Sequence, residues 1–142
     1  MKNVWDIRLI SDLVSKHAIS LEITRILTFD RIGISSHPNH IAAHYGVLRA
    51  MDQIPTVSVW TLTSVSLLRK FSSILDSVIC INDIVSKDAS RKAVFASSPI
   101  SYWRGVKAMV FGHRSQLVWF RYLYLIFSRY MWLNEWKEVI RK

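Results

Sequence analysis

Two strand-like runs alternate with helical segments in the first half of this chain, and that alternation narrows the fold before any composition is counted. Trp5 to His17 reads as a helix, with Trp5, Leu9, Leu13 and Val14 on one face and Asp6 and Lys16 elsewhere. Ile19 to Phe29 reads as a strand rich in Ile, Leu and Thr. Its apolar residues become nearly continuous at Ile26, Leu27 and Phe29, the pattern of a strand covered on both faces. Asp30 to His37 contains Gly33 and several short polar residues ahead of Pro38, so it reads as a loop leaving the end of that strand. Pro38 suits the first turn of a helix, where its missing N–H is not needed, and a helix is predicted from Pro38 to Met51. Val57 to Thr63 is the second strand. Helix, strand, helix, strand is the βαβ rhythm of a parallel sheet.

The rest of the chain is less regular. Thr63 or Ser64 is placed to cap a helix running through Phe71. Val78 to Ile81 is a short apolar run that suits a strand or a buried turn, and Ala93 to Ala96 suits another short strand. From Ser101 a helical region is predicted to about Lys137, with a break near Ser115. The expected fold class is therefore α/β, a partial Rossmann-like parallel sheet flanked by helices with a long C-terminal helical region. Two convincing strands are few for a sheet covered on both faces, so residues 1–142 read as one portion of a larger domain.

Composition removes several classes. Gly and Pro are scarce, 4 and 3, and half the residues are hydrophobic, which argues against disordered and collagen-like chains. One cysteine cannot build a disulfide framework or a cysteine zinc cluster. Met1 to Ser20 carries Asp6, Arg8, Asp12 and Lys16 and no continuous apolar block of signal-peptide type. Leu117 to Leu133 is the most apolar segment, but Arg121 and Arg129 interrupt its 17 residues. A spanning helix takes about 20 mostly apolar residues, so the segment reads as buried or interfacial.

Charge points to partners. The net charge is +9, and the second half of the chain carries most of the excess. No acid occurs between Ala89 and Asn134, whereas Arg91, Lys92, Arg104, Lys107, Arg114, Arg121 and Arg129 do. Trp103, Trp119, Tyr122, Tyr124, Tyr130 and Trp132 are interleaved with them. This mixture suits a membrane–water interface and equally a base-stacking surface.

The densest polar cluster is Thr28-Phe29-Asp30-Arg31-Ile32-Gly33-Ile34-Ser35-Ser36-His37-Pro38-Asn39-His40. It falls at the carboxyl end of a predicted parallel strand, where open α/β sheets place their ligands. Three of the five histidines, His37, His40 and His44, lie within eight residues, and His40 and His44 are one helical turn apart. Imidazole is the commonest zinc ligand. Loop histidines beside a proline are more often caps or solvated groups than metal ligands, and the spacing is neither that of a zinc finger nor H-E-x-x-H.

The run ITRILTFDRIGISSHPNHIAAHYGVLRA, residues 23–50, resembles the signature of the N-acetylglucosaminyl-phosphatidylinositol de-N-acetylases, within a larger family of zinc-dependent deacetylases. The resemblance continues in VWTLTSVSLLRKFSSILD, residues 59–76, and in GVKAMVFGHRSQLVWFRYLYLIFSRYMWLN, residues 105–134. It implies that His40 is a metal ligand and that His37 stabilises the oxyanion or protonates the leaving amine. Asn39 then stands where bacterial relatives often have an Asp orienting that histidine. Asp30 and Gly33 shape the loop, and His113 and Gln116 match an HxSQ element of the substrate-pocket wall. His44 lies outside the motif and reads as solvated or helix-packing. By spacing alone, His113 falls on an apolar helical stripe with Tyr102, Val106, Met109, Val110 and Leu117, which suits a core histidine.

One departure is large. The family carries an earlier HPDD motif that supplies two metal ligands and the general base, and no Asp-Asp pair occurs here. The chain thus looks like the C-terminal portion of such an enzyme, inactive alone. Zinc would be a cofactor of the complete fold and would not be held by this chain by itself. The implied reaction is metal-assisted hydrolysis of the acetamide of N-acetylglucosaminyl phosphatidylinositol, at the cytosolic face of the endoplasmic reticulum membrane. The implied partners are that substrate, the membrane surface and a companion chain carrying the other half. A basic, aromatic surface over 104–129 would attract headgroups and membrane; Arg69-Lys70 is open between that role and an ordinary solvated face. The alternative is a non-catalytic, membrane-associated relative acting in binding or assembly. A nucleic-acid module accounts for the charge but not for the SHPNH loop, and no recognised nucleic-acid motif is present, so nucleic acid is not an expected partner.

Overall fold

The structure is a computed structural model that describes residues 4–77, 79, 80 and 91–141. It is mixed α/β. Helix α1 (Ile7–Ser20), strand β1 (Arg25–Phe29), a single turn α2 (Gly33–Ser36), helix α3 (Pro38–Ala50) and strand β2 (Ser58–Leu62) follow in order. After them come a second single turn, α4 (Leu67–Lys70), strand β3 (Lys92–Ala96), helices α5 (Pro99–Lys107) and α6 (Trp119–Phe127), and strand β4 (Leu133–Glu138). The strand order is β1-β2-β4-β3. β1 and β2 are parallel, with Ile26 opposite Val59 and Thr28 opposite Thr61. β4 is antiparallel to β2, so the sheet is mixed where a parallel one was expected.

Two compact units partition the chain, Met1–Ser64 with Trp136–Lys142, and Val65–Glu135. In the first unit, α1 packs on α3. The residues buried on α1 are Ser11, Ser15 and Ala18; those on α3 include Ala42, Gly46 and Ala50. Small side chains let the helix backbones approach closely. A Cβ at Gly46 would lie 2.5 Å from Ile10 Cγ2, inside any permitted contact. Val14, Ala18, Val47, Ala50 and Met51 then cover the face of the sheet that carries Ile26 and Val59. Pro38 opens α3 as expected. Arg141 closes this unit by donating to the carbonyls of Met51, Ile54 and Val57 at 2.8–3.1 Å.

Several expectations fail for identifiable reasons. α1 extends to Ser20, so the strand begins only at Arg25. Its buried face is the small-residue face; Trp5, Leu9 and Leu13 are exposed. β1 is covered on one face only, since Leu27 is 54 % exposed on the other. The helix expected through Phe71 shrinks to the α4 turn, because the Ser64 hydroxyl is used elsewhere and Ser66 makes no capping bond. The Val78–Ile81 run has both its ends outside the described residues.

In the second unit, α5 begins at Pro99, and Ser98 Oγ accepts from Ser101 N at 3.2 Å. A π-type turn over Ala108–Gly112 and a 3-10 turn over Arg114–Gln116 break the helical region where a break was expected. The predicted helix does not reach Lys137. It ends with α6, and Leu133–Glu138 is a strand. The polar run Leu-Asn-Glu-Trp-Lys-Glu has no local strand signal strong enough to read. Pairing with β2 decides it, through the register Thr61 opposite Lys137 and the bond from Val139 N to Val59 O at 2.9 Å.

A buried ionic cluster organises the second unit. Asp76 Oδ1 accepts from Arg69 Nε at 2.7 Å, and Arg129 Nε lies 2.9 Å from Asp76 Oδ2. Arg129 also donates to Glu135 Oε1 at 2.6 Å. Asp76 and Arg129 are fully buried, and each is tolerable because it is paired, Asp76 with Arg69 and Arg129, and Arg129 with Asp76 and Glu135. Cys80 is buried too. Burial, and then a hydrogen bond with Glu135, push its thiol up to about 11.

Candidate active site

The loop that leaves β1 is built around Asp30. Asp30 Oδ1 accepts from Ile32 N at 3.1 Å, Gly33 N at 2.9 Å and Ser64 Oγ at 2.6 Å. Its Oδ2 accepts from Ser64 N at 2.7 Å. The carboxylate therefore ties the end of β1 to the residues just past β2, with its acceptor capacity spent on the protein. Ser64 also accepts from Ile34 N at 2.8 Å. That bond helps to hold Ile34 at φ 66°, a left-handed conformation that a β-branched residue rarely adopts. Gly33, at φ +65°, is needed for space as well as conformation, because a Cβ there would lie 2.9 Å from His40 Cβ.

This loop delivers two imidazoles in opposite hydrogen-bonding states. His40 Nδ1 lies 3.0 Å from the Gly33 carbonyl, which can only accept. Nδ1 must therefore carry the proton, which leaves a lone pair on Nε2. The ring is stacked on Phe29, centroids 4.0 Å apart and 7° from parallel, which fixes its orientation. His37 is the reverse. Asn39 N donates to its Nδ1 at 3.2 Å, capping α3, so the neutral ring carries its proton on Nε2. The His37 and His40 rings are 4.9 Å apart. His37 is exposed and His40 half-buried.

The other candidates divide between the units. Asn39 places His37 through its backbone N–H; its side-chain Oδ1 accepts from Trp5 N at 3.2 Å. His113 and Gln116 belong to the second unit and are exposed around the 3-10 turn. The helical stripe that would bury His113 ends with the π-type turn before it, so the core-histidine reading fails. His44 is not solvated. It is buried, and its Nδ1 donates to the Phe29 carbonyl at 2.9 Å, fastening α3 to the end of β1. Ser64 is the residue that sequence reasoning missed as a shaper of this loop. Its position just past the end of the second strand, opposite the Asp30 loop in a parallel pair, was the available signal.

A catalytic zinc needs about three protein ligands. Among the described residues no three His, Cys, Asp or Glu side chains converge in that way. Asp30 is committed to four protein donors, and of the two loop imidazoles His40 is the one that offers a lone pair on a positioned ring. This set by itself does not fit the metal.

By fold and site, then, the chain is an α/β protein with a histidine-bearing loop at the carboxyl end of a parallel strand. It is 37 % identical over 145 residues to a probable N-acetylglucosaminyl-phosphatidylinositol de-N-acetylase of Schizosaccharomyces pombe, covering 97 % of this chain and 55 % of that protein. It is 38 % identical over 136 residues to the N-acetylglucosaminyl-phosphatidylinositol de-N-acetylase of Bos taurus, covering 92 % of this chain and 50 % of the relative. The Arthroderma benhamiae enzyme of the same name is 30 % identical over 161 residues, covering 87 % of this chain and 48 % of the relative. The chain belongs to the N-acetylglucosaminyl-phosphatidylinositol de-N-acetylase family, and it spans about half the length of these curated relatives. No protein-family model matches it, and no solved structure does.

Proposed function

We propose that this chain contributes part of the active site of an N-acetylglucosaminyl-phosphatidylinositol de-N-acetylase, a step in glycosylphosphatidylinositol-anchor synthesis at the cytosolic face of the endoplasmic reticulum membrane. The observation that carries the reading is the paired state of His37 and His40: one imidazole presents an N–H donor and its neighbour a bare nitrogen. A bare, oriented nitrogen is what a metal ligand requires. An exposed N–H is what a developing oxyanion, or a departing amine awaiting a proton, requires. Asp30, Gly33 and Ser64 hold the loop that presents both rings, and Asn39 holds the His37 tautomer. His113 and Gln116 are assigned to the substrate-pocket wall on the resemblance alone.

In this reading His40 supplies one ligand to zinc, and the remaining ligands and the general base come from an HPDD-bearing segment outside these residues. Bound zinc would activate water for amide hydrolysis. The chain alone is expected to be inactive and to bind zinc weakly. The test is to supply that segment from a relative, in cis or as a companion chain, and assay deacetylation of the glycolipid. Activity should appear. His37→Ala should lower it by roughly 10²- to 10³-fold, and His40→Ala should abolish it with loss of bound zinc. Activity surviving His40→Ala with zinc retained would sink the ligand assignment. The second reading, a non-catalytic membrane-associated relative, is favoured by the absence of a three-donor cluster among the described residues. It predicts no activity after complementation.

A further inference from the structure

His44 is the histidine of this region that the proposed site does not use. It stands one turn after His40 on α3, on the same face, and is only 8 % exposed. The other buried residues of α3 are Ala42, Gly46, Val47 and Ala50, all apolar. An imidazole buried among them costs desolvation, which a hydrogen bond must offset. That bond runs from its Nδ1 to the Phe29 carbonyl at 2.9 Å.

Phe29 is the last residue of β1, paired with Leu62 at the end of β2. Its ring is stacked on His40, centroids 4.0 Å apart and 7° from parallel. This one strand-end residue therefore meets α3 twice, through its carbonyl at His44 and through its ring at His40. The two meetings are linked. The bond from His40 Nδ1 to the Gly33 carbonyl fixes one point of the imidazole and leaves the ring free to rock about that bond. The flat face of Phe29 removes this freedom only while Phe29 is itself held. Asp30 pins the loop beyond Phe29, through Ile32, Gly33 and Ser64. His44 pins Phe29.

We infer that His44 is a positioning residue: by holding the Phe29 carbonyl it sets the plane of the His40 ring, and with it the direction in which the bare Nε2 points. Its consequence for catalysis rests on the proposed function; its consequence for the ring does not, and the two are measured separately. The ring is followed by NMR of the full chain with labelled histidine, at a pH of about 8 where an ordinary imidazole is neutral. In the wild type the His40 ring protons should be displaced upfield by Phe29, and the His40 Nδ1–H should exchange slowly. His44→Gln places its amide where Nε2 lay, away from the Phe29 carbonyl. It should lose most of the displacement, and the His40 N–H should exchange roughly tenfold faster. His44→Asn places an amide N–H where Nδ1–H lay and should keep both signatures. Phe29→Leu keeps the carbonyl and removes the ring. Its His40 N–H should also exchange roughly tenfold faster, and adding His44→Gln should change it no further. The inference is overturned if folded His44→Gln leaves the His40 signals as in the wild type, or if His44→Asn perturbs them as His44→Gln does. It is equally overturned if Phe29→Leu leaves the His40 N–H as slow as in the wild type, an outcome that decides the matter even where His44→Gln does not fold. In the protein complemented with the HPDD-bearing segment, His44→Gln should lower kcat roughly 10- to 100-fold with KM within about threefold, and His44→Asn should restore kcat to within about threefold. An unchanged kcat in His44→Gln overturns the positioning role. If no complemented protein is active, it is the deacetylase reading that fails, and the NMR signatures still decide the role of His44.

Discussion

Replacing Asp30 by Asn tests whether the candidate loop is held as described. The side chains are nearly isosteric, so packing is kept and only charge and one acceptor are lost. With Oδ1 left on Ile32 N, Gly33 N and Ser64 Oγ, the new amide N–H₂ would face Ser64 N at the present 2.7 Å, donor against donor. A hydrogen bond to a charged group is worth about 1.5–3 kcal/mol net, and the bonds that remain lose their charge assistance. The site is part-buried rather than dry, so the loss should be about 2–3 kcal/mol of local stability. Hydrogen exchange reads this directly. The amides of Gly33 and Ser64 should exchange roughly 30- to 150-fold faster at fixed pH, while those of Val14 and Val47 in the helix core should not change. A double-mutant cycle with Ser64→Ala should give a coupling of about 1–3 kcal/mol. Less than about a threefold change at both amides would refute the account, since it would mean the carboxylate does not hold the loop.

Gly33→Ala should cost about 1–3 kcal/mol, from a left-handed φ and a Cβ set 2.9 Å from His40 Cβ. Because His40 must shift, the ring-current displacement of its NMR signals by Phe29 should diminish. Arg129→Leu should destabilise the second unit by about 3–5 kcal/mol, towards the lower end because Asp76 retains Arg69; urea denaturation monitored within that unit measures it. Cys80 should resist alkylation near neutral pH in the native protein and react once unfolded. Its folded pKa, about 11, lies above the ordinary 9.0, so the native state holds its proton longer. The stability it contributes is complete below pH 9 and is lost as pH rises towards 11, which a pH series of thermal midpoints would show.

The parallel βαβ start, the Pro-initiated helix and the histidine loop were legible from residues alone, because each rests on local rules: apolar runs of strand length, proline at a first helical turn, a polar loop at a strand end. The break near Ser115 was legible for the same reason. What misled the reading was burial. Leu9 and Leu13 of α1 fall on one face with Trp5 just ahead of the helix, and periodicity assigns the bulkiest apolar face to the core. The interior instead receives Ser11, Ser15 and Ala18, because α3 presents Ala42, Gly46 and Ala50 and a close helix crossing excludes large side chains.

The sequence by itself determined which chemistry this chain can offer: histidines spaced around a proline at the end of a strand, a cationic aromatic second half, and no local pair of carboxylates beside those histidines. Only the tertiary structure decided how those groups are presented. The tautomers of His37 and His40 follow from which backbone group each Nδ1 meets, Asn39 N in one case and Gly33 O in the other. The first is a local cap of α3, and the second depends on the left-handed φ of Gly33, in the loop that Asp30 ties to Ser64 across the parallel strands. Likewise, residues 133–138 carry too few apolar positions to declare a strand. They become one because the edge of β2 offers backbone partners that an isolated segment lacks.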